Sequence, residues 1–146
     1  METSVNNKCR AFTSLEQSKR LAKILPLESA DMKWFVPADN ESEFIEEVSL
    51  INNKSEYNLF DKVTDWNDTP YVPCWSLTAL LDVIPQEIFD GEYIINITEG
   101  CDDKWVLTYD HCEDMYHSYY GLSSGADNLV DACYEMILKL HELKML

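Results

Sequence analysis

Apolar positions in the middle of the chain predict a short helix with prolines on either side. They recur at spacings of three and four residues and therefore share one helical face: Leu77, Leu80, Leu81 and Ile84. Ser76 is a suitable N-cap, because its hydroxyl can accept a hydrogen bond from a backbone N–H of the first turn. Pro70 and Pro73 hold the entry extended, and Pro85 ends the helix after about two turns. Because so short a helix is unstable alone, we expect it to pack against a larger surface.

Alternating apolar and polar positions predict a mainly antiparallel sheet. The clearest strands are residues 93–98 and 104–109, joined by a hairpin loop over residues 99–103. Residues 116–120 predict a third strand that Gly121 ends. Residues 31–36, which Pro37 closes, predict a short strand at an edge of the sheet.

Two further helices are predicted towards the chain ends. Thr13 and Glu16 have the spacing of a capping box, which begins a helix over residues 14–25 that Pro26 ends. Asn128 is the predicted N-cap of the last helix, which has acidic residues early and basic residues late, as the helix dipole favours. Its predicted buried stripe comprises Leu129, Cys133, Met136, Ile137, Leu140 and Leu143.

Residues 38–69 carry the weakest periodicity in the chain. Phe44, Val48 and Ile51 favour a helix over residues 43–51, although residues 48–51 also fit a strand. The rest of this range resembles loop sequence, so we expect residues 38–69 to be an irregular or mobile insertion. We expect residues 1–10, which are polar, to be frayed.

These elements predict a single α+β domain over residues 1–146. A length of 146 residues with 46% hydrophobic residues suffices for one packed core. We expect three or four strands in one small, mainly antiparallel sheet, with the central and C-terminal helices packed on one face and the N-terminal helix at its margin.

The net charge of −16 is unevenly distributed. Residues 1–40 contain six basic and five acidic residues, so residues 41–146 carry a net charge of −17. This opposes direct binding to nucleic-acid phosphates, which requires clustered Lys and Arg. An acidic surface maintains solubility, and it can also bind a basic partner, for example by mimicking a nucleic acid.

The sequence predicts a cytoplasmic protein without a membrane span. It has neither a run of about 18 apolar residues nor the profile of a signal peptide. Five cysteines are scattered along the chain without a C-x-x-C pair: Cys9, Cys74, Cys101, Cys112 and Cys133. Their odd number and wide spacing argue against a disulfide framework.

Two groups of residues have the chemistry of metal ligands but not the spacing. Cys101, His111, Cys112 and His117 are possible zinc ligands, yet His111 and Cys112 are adjacent and Cys101 stands alone. Five carboxylates near two turns do not follow the calcium-loop order: Asp102, Asp103, Asp110, Glu113 and Asp114. We therefore predict no metal and no cofactor.

The sequence does not indicate an enzyme. Cys74 is a possible nucleophile, but only three histidines are available as its base, all in the last 36 residues, and a thiol packed beside Trp75 is the simpler reading. Gly-rich phosphate loops are absent from the sequence.

Aromatic residues are the remaining candidates for function. Six of them are potential anchors of a protein interface, although such side chains also serve as core residues: Trp34, Trp66, Trp75, Tyr116, Tyr119 and Tyr120.

Three segments, read together, resemble an uncharacterised family of small proteins from phages and mobile elements of gut bacteria. They are residues 30–34 (Ala-Asp-Met-x-Trp), 75–85 (Trp-Ser-Leu-x-x-Leu-Leu-x-x-Ile-Pro) and 131–140 (Asp-Ala-Cys-x-x-Met-Ile-x-x-Leu). The resemblance implies a biological context and no reaction, ligand or catalytic residue. In that family a small residue usually stands at the position of Cys74, which argues against a nucleophilic role.

The leading hypothesis is a non-enzymatic accessory or protein-interaction protein of a phage or mobile element. The first alternative is an acidic mimic of nucleic acid that inhibits a host DNA- or RNA-binding protein. The second alternative is a small metal- or thiol-dependent enzyme. Neither the partner nor the oligomeric state follows from the sequence.

Overall fold

The structure is a computed structural model that describes residues 10–37, 46–100 and 102–146. Its α-helices are α1 (Leu15–Leu21), α2 (Leu77–Val83) and α3 (Leu129–Glu142), and 3₁₀ helices span Leu27–Ser29 and Lys54–Phe60. Its strands are β1 (Met32–Phe35), β2 (Glu47–Leu50), β3 (Tyr71–Cys74), β4 (Glu87–Ile88), β5 (Tyr93–Glu99), β6 (Trp105–His111) and β7 (Ser118–Ala126). No helix of these residues is long and apolar enough to cross a membrane.

The strands form two antiparallel sheets, which confirms the predicted α+β class. One sheet has the order β2-β1-β3 and the other the order β4-β5-β6-β7, so the strands are divided between two sheets instead of sharing one. The prediction that β1 is an edge strand is wrong, because β1 lies at the centre of the three-stranded sheet. Pro73 lies in β3, which pairs with β1 alone among the described strands. An edge strand tolerates proline because one side needs no backbone donor.

The described chain divides into two compact units. Phe12–Ala79 form the N-terminal unit, and Leu80–Leu146 with Arg10 and Ala11 form the C-terminal unit. Helix α2 crosses this boundary in the sequence. The single domain predicted over residues 1–146 stays a prediction. Fraying was predicted for residues 1–10, of which residues 1–9 lie outside the described residues, and Arg10 forms an ion pair with Asp131.

Thr13 is a buried hydrogen-bonding residue of the N-terminal unit and not a helix cap. Its hydroxyl accepts a hydrogen bond from the Trp75 backbone N–H at 3.2 Å and lies 2.7 Å from the Ser18 hydroxyl. The cap is Ser14, whose hydroxyl accepts from the Gln17 N–H while the Gln17 side chain accepts from the Ser14 N–H. The predicted capping box is therefore wrong by one residue, because Thr13 is held by the interior.

Asp31 joins the start of α2 to the start of β1. Its carboxylate accepts hydrogen bonds from the Ser76 backbone N–H, at 2.9 Å, and from the Ser76 hydroxyl. The same hydroxyl accepts from the Ala79 N–H at 3.1 Å, which confirms Ser76 as the N-cap of α2. Trp75 is fully buried, and its indole N–H donates to the Ser29 hydroxyl at 2.9 Å. Residues 30–34 thus contact the start of the 75–85 segment within the N-terminal unit, where both have a structural role.

Residues 46–69 contain more regular structure than predicted. The preferred helix is wrong for Glu47–Leu50, which pair with β1 as a strand and place Val48 opposite Trp34. The pairing satisfies the edge of β1 that β3 leaves open. Residues 38–45, which include the first part of that predicted helix, lie outside the described residues.

Glu56 fixes the 3₁₀ helix Lys54–Phe60 to the sheet of the N-terminal unit. Its carboxylate pairs with the Lys33 ammonium group and accepts hydrogen bonds from the backbone N–H groups of Asn52 and Asn53. The Lys33 contact, followed by these N–H groups, lowers the pKa of Glu56 below its ordinary value. The 3₁₀ helix in turn buries Phe60.

In the C-terminal unit α3 packs against β6 and β7 of the four-stranded sheet. Its N-cap is Asn128, whose side chain accepts a hydrogen bond from the Asp131 N–H, as predicted. The Ser124 hydroxyl of β7 donates to the Ala132 carbonyl at 2.8 Å and so joins sheet and helix. The predicted stripe is confirmed at four positions, Cys133, Met136, Ile137 and Leu140, all of which are fully buried.

β7 is longer than the sequence predicted. It continues through Gly121 to Ala126, and the pairing with β6 shifts between Thr108 and Asp110. Gly121 has φ +90°, a conformation that glycine adopts without the clash of a Cβ atom. The glycine therefore marks an irregularity within the strand, whereas the sequence pattern had placed the strand end there.

Candidate functional site

Five rings meet at one end of the four-stranded sheet and are called here the aromatic cluster: Phe89, Tyr93, His111, His117 and Tyr119. Tyr93 begins β5 and lies directly opposite His111, the last residue of β6. Tyr119 comes from the start of β7. The register of the sheet thus brings together rings that are far apart in the sequence.

Tyr93 is the centre of the aromatic cluster. Its ring centroid lies 5.3 Å from those of His111 and Tyr119, and 6.2 Å from those of Phe89 and His117. The Tyr93 and His111 rings are nearly perpendicular, at 88°. This edge-to-face arrangement is the one that the ring quadrupoles favour, so the cluster is a packed group rather than a set of separate side chains.

The turn between β4 and β5 directs Phe89 into the aromatic cluster at a conformational cost. Phe89, Asp90 and Gly91 have φ values of +53°, +55° and +89°. Only glycine adopts this region freely, and a bulky residue such as Phe89 is strained there. The Phe89 ring nevertheless packs 5.1 Å from that of Tyr119 and remains 49% exposed. An exposed and strained aromatic residue is more typical of binding surfaces than of packing alone.

The loop between β6 and β7 presents further apolar side chains to solvent. Its ends are joined by a hydrogen bond from the His111 N–H to the His117 carbonyl at 2.8 Å. Inside the loop the Tyr116 N–H donates to the Asp114 carboxylate at 3.1 Å. Three side chains in and after the loop are strongly exposed: Met115, Tyr116 and Tyr120. The loop has a defined conformation that leaves these groups in water.

Acidic residues lie close to the aromatic cluster along the chain. Four exposed ones are within three residues of its members and are called here the acidic rim: Asp90, Glu92, Glu113 and Asp114. The Glu92 carboxylate is 3.7 Å from the His111 Nε2 atom. Residues 80–146 contain fourteen Asp or Glu and three Lys or Arg. The site therefore combines an apolar centre with a negative rim.

The structure does not assemble the zinc site considered from the sequence. In residues 10–37, 46–100 and 102–146, no three His, Cys, Asp or Glu side chains are placed to hold a metal ion. His111 and His117 are neighbours with ring centroids 6.3 Å apart, whereas Cys112 is exposed and Cys101 lies outside the described residues. Both histidines are instead members of the aromatic cluster.

The five carboxylates considered for calcium are also separated. Asp110 is buried, and it accepts hydrogen bonds from the Asn96 amide at 2.9 Å and from the Ser118 hydroxyl at 2.7 Å. Asp102 and Asp103 lie by the hairpin at one end of β5 and β6, and Glu113 and Asp114 lie at the other end. Asp110 therefore joins three strands, and the others are exposed loop residues.

Cys74 is fully buried beside polar groups of the N-terminal unit. Its thiol donates to the Thr13 carbonyl at 3.5 Å and lies 3.5 Å from the Thr13 hydroxyl. Burial raises the pKa of the Cys74 thiol above its ordinary value, which disfavours the thiolate that nucleophilic chemistry requires. Burial likewise raises the pKa of Cys133, to about 12.

These surroundings predict the order of thiol reactivity. Cys112 is exposed and is expected to react with iodoacetamide at least about a hundredfold faster than Cys74 or Cys133, which must first be uncovered by unfolding. Peptide mapping by mass spectrometry follows each thiol separately, and the same reaction in denaturant is the control in which all three become equivalent. Equal rates for Cys74 and Cys112 in the native protein would contradict the buried position of Cys74.

The sequence pattern indicated only part of this site. It pointed to Tyr116, Tyr119, Tyr120, His111 and His117, but it placed the histidines in a possible zinc site and did not single out Phe89 or Tyr93 as site residues. The tryptophans that it grouped with the tyrosines lie elsewhere, and Trp75 and Trp66 are buried in the N-terminal unit. The Phe-Asp-Gly sequence of residues 89–91 was the available signal, because Asp-Gly marks a tight turn and places an aromatic residue beside it.

Comparison with protein-family models, with curated proteins and with solved structures finds no match to this chain. The class that the structure defines is an α+β protein with an exposed, acid-rimmed aromatic cluster. Its function must therefore be inferred from the chemistry of that cluster.

Proposed function

We propose that this chain is a non-enzymatic protein-interaction protein whose aromatic cluster binds a basic segment of a partner protein. The main support for this proposal is the packed group of five rings, in which a strained turn holds Phe89 partly exposed to solvent. An accessory role in a phage or mobile element, and a cytoplasmic location, are parts of the same proposal and come from the sequence.

Packing supports a binding role for the aromatic cluster. Aromatic side chains dominate the energy of protein interfaces because they bury a large area and lose little conformational entropy on binding. The rings already pack against one another in the free protein, so binding a partner requires little reorganisation of this surface. Tyr116 and Tyr120 are almost fully exposed at the same end of the sheet.

Charge supports a basic partner. With fourteen acidic and three basic residues over residues 80–146, this unit attracts Lys and Arg and repels acidic chains. A guanidinium or ammonium group also binds favourably over the face of a tyrosine ring. A segment that contains an Arg and an apolar side chain could pack on the rings and also form ion pairs with the acidic residues.

A mimic of nucleic acid would also bind a basic partner. The positions of the carboxylates favour this function less than they favour binding of a basic peptide segment. In the C-terminal unit the described acidic residues near the hairpin, such as Glu99, and those near the aromatic cluster, such as Glu92, lie at opposite ends of β5. Seven strand residues separate these ends by about 20 Å. A mimic requires a continuous row of carboxylates along one face, whereas a local rim around apolar rings suits a peptide segment.

The proposal predicts that a Phe89→Ala, Tyr119→Ala double variant loses its partner. The tagged protein and the variant are cross-linked in host lysate at low and moderate salt, and the captured proteins are identified by mass spectrometry. Removing two anchors is expected to weaken binding at least about tenfold, because hot-spot residues each contribute strongly. Binding is also expected to weaken as salt screens the acidic rim.

A matched control is a Leu50→Ala, Leu59→Ala double variant, which removes two exposed apolar side chains of the N-terminal unit. It should retain the partner, and cross-links of the unaltered protein should join the aromatic cluster to a Lys- or Arg-rich segment. Circular dichroism checks that both variants fold. Capture that is equal for the two variants, or the absence of any reproducible partner, would overturn the proposal.

A further inference from the structure

β5 has an open edge beyond the end of β4. β4 has only two residues, which pair with Tyr93 and Ile94, and the next contact is the Ile95 N–H donating to the Gln86 carbonyl at 2.9 Å. Alternate residues of an antiparallel strand direct their backbone groups to opposite sides. The side of β5 that Ile95 directs towards β4 therefore also carries the backbone groups of Ile97 and Glu99. No backbone group in the described part of the chain bonds to them on that side.

An apolar cleft of about 410 Å³ lies beside this open edge. Its lining consists of six aliphatic residues and one amide residue: Leu81, Ile84, Ile94, Ile95, Ile97, Leu107 and Gln86. Ile95 and Ile97 are two residues apart, and Ile97 is opposite Leu107, so these three side chains lie on one face of the sheet. The cleft thus opens between the end of α2 and this face, next to the unpaired backbone groups.

We propose that the open edge and the cleft together bind an extended peptide segment of a partner protein. The segment adds to the four-stranded sheet as a further strand beside β5 and inserts an apolar side chain into the cleft. Free backbone N–H and C=O groups along a strand edge specify an extended occupant, since only another strand satisfies them in register. The adjacent aliphatic lining specifies an apolar residue on the inner face of that strand.

Charge selects a partner segment over a second copy of this chain. Exposed Glu99, Asp102 and Asp103 lie at the hairpin end of the open edge, against a single lysine, Lys104. Each copy carries a net charge of −16, so edge-to-edge pairing of two copies would bring like charges together. A segment with Lys or Arg next to its apolar residues is attracted instead.

This site is separate from the aromatic cluster. Ile97 is four residues further along β5 than Tyr93, which corresponds to about 13 Å. The inference goes beyond the proposed function and does not require it, and the two can fail separately because each is tested with its own variants and its own probe.

The test uses the isotope-labelled full chain and the synthetic peptide Lys-Val-Thr-Val-Thr-Val-Lys. Amide hydrogen exchange of Ile97 and Glu99 is expected to slow by about tenfold when the peptide is saturating. The amides of Asn96 and Thr98 face β6 and serve as internal controls that change little. Two further peptides carry N-methyl groups, one at its odd-numbered residues and the other at its even-numbered residues. Only one of these two peptides should lose the protection, because only one set of peptide amides faces β5.

The variant Leu81→Asp provides a second test of peptide binding. It places a carboxylate at the cleft and leaves the backbone of β5 unchanged. It is expected to weaken peptide binding at least about tenfold, whereas Thr98→Ala, an exposed position, should bind normally. If the Leu81 variant does not fold, the paired N-methylated peptides decide the question.

Unchanged exchange at Ile97 and Glu99 with the peptide in excess would overturn the proposal. Equal effects of the two N-methylation patterns would overturn it as well. Slow exchange at these amides that depends on protein concentration without peptide would also overturn it, because it would assign the edge to a second copy.

Discussion

Replacing Trp75 with alanine is expected to lower the free energy of unfolding by about 3–5 kcal/mol. Trp75 is fully buried and is among the largest buried side chains of the described chain. The substitution leaves a cavity that the surrounding close-packed residues fill only in part. It also removes the indole N–H that donates to the Ser29 hydroxyl. Denaturant unfolding followed by far-UV circular dichroism measures the change.

Tyr120→Ala is the control for this experiment. The Tyr120 side chain is 98% exposed, so its loss is expected to change the free energy of unfolding by no more than about 0.5 kcal/mol. A loss below about 1 kcal/mol for Trp75→Ala would contradict its position at the centre of the N-terminal unit.

Leu140→Ala is expected to cost about 2–5 kcal/mol, and Leu143→Ala less than about 1 kcal/mol. The two leucines are three residues apart, and the sequence placed both in the buried stripe of the last helix. The structure buries Leu140 fully but leaves Leu143, at the C-terminal end of α3, 48% exposed. Because the residue type and the substitution are the same, the difference is set mainly by burial. Equal losses for the two variants would show that α3 remains packed through Leu143.

The same two unfolding experiments test whether the chain is one domain. Trp75 belongs to the N-terminal unit and Leu140 to the C-terminal unit. One cooperative transition that both substitutions shift would support the predicted single domain. Two transitions, each shifted by one substitution, would show that the units unfold independently.

The fold class and most of the regular elements were accessible from local sequence. Ser76 and Asn128 cap their helices as predicted, and the strands at residues 93–98 and 104–109 extend only slightly further in the structure. These signals succeed because capping and strand alternation depend on neighbouring residues. The shift of the first cap from Thr13 to Ser14 shows the limit, since Thr13 bonds to Trp75, 62 residues away.

Only some residues of the candidate site could be predicted from the sequence. Exposure of Tyr116 and Tyr120 fits their suggested role as anchors, but the centre of the cluster is Tyr93, which the sequence identified only as a strand residue. Its pairing with His111 depends on the register of β5 and β6. The open edge of β5 depends on the shortness of β4, a strand that the sequence did not predict.

Local sequence patterns were enough to predict an α+β protein with a strongly acidic second part, a proline-bounded central helix and an amphipathic closing helix. Caps, prolines and hydrophobic periodicity act over a few residues, and charge is a property of composition. Three features became visible only in the folded chain: the division of the strands between two sheets, the central place of β1, and the meeting of five rings at one end of the larger sheet. Those features depend on which strands pair and in which register, and pairing is chosen by contacts between residues far apart in the chain.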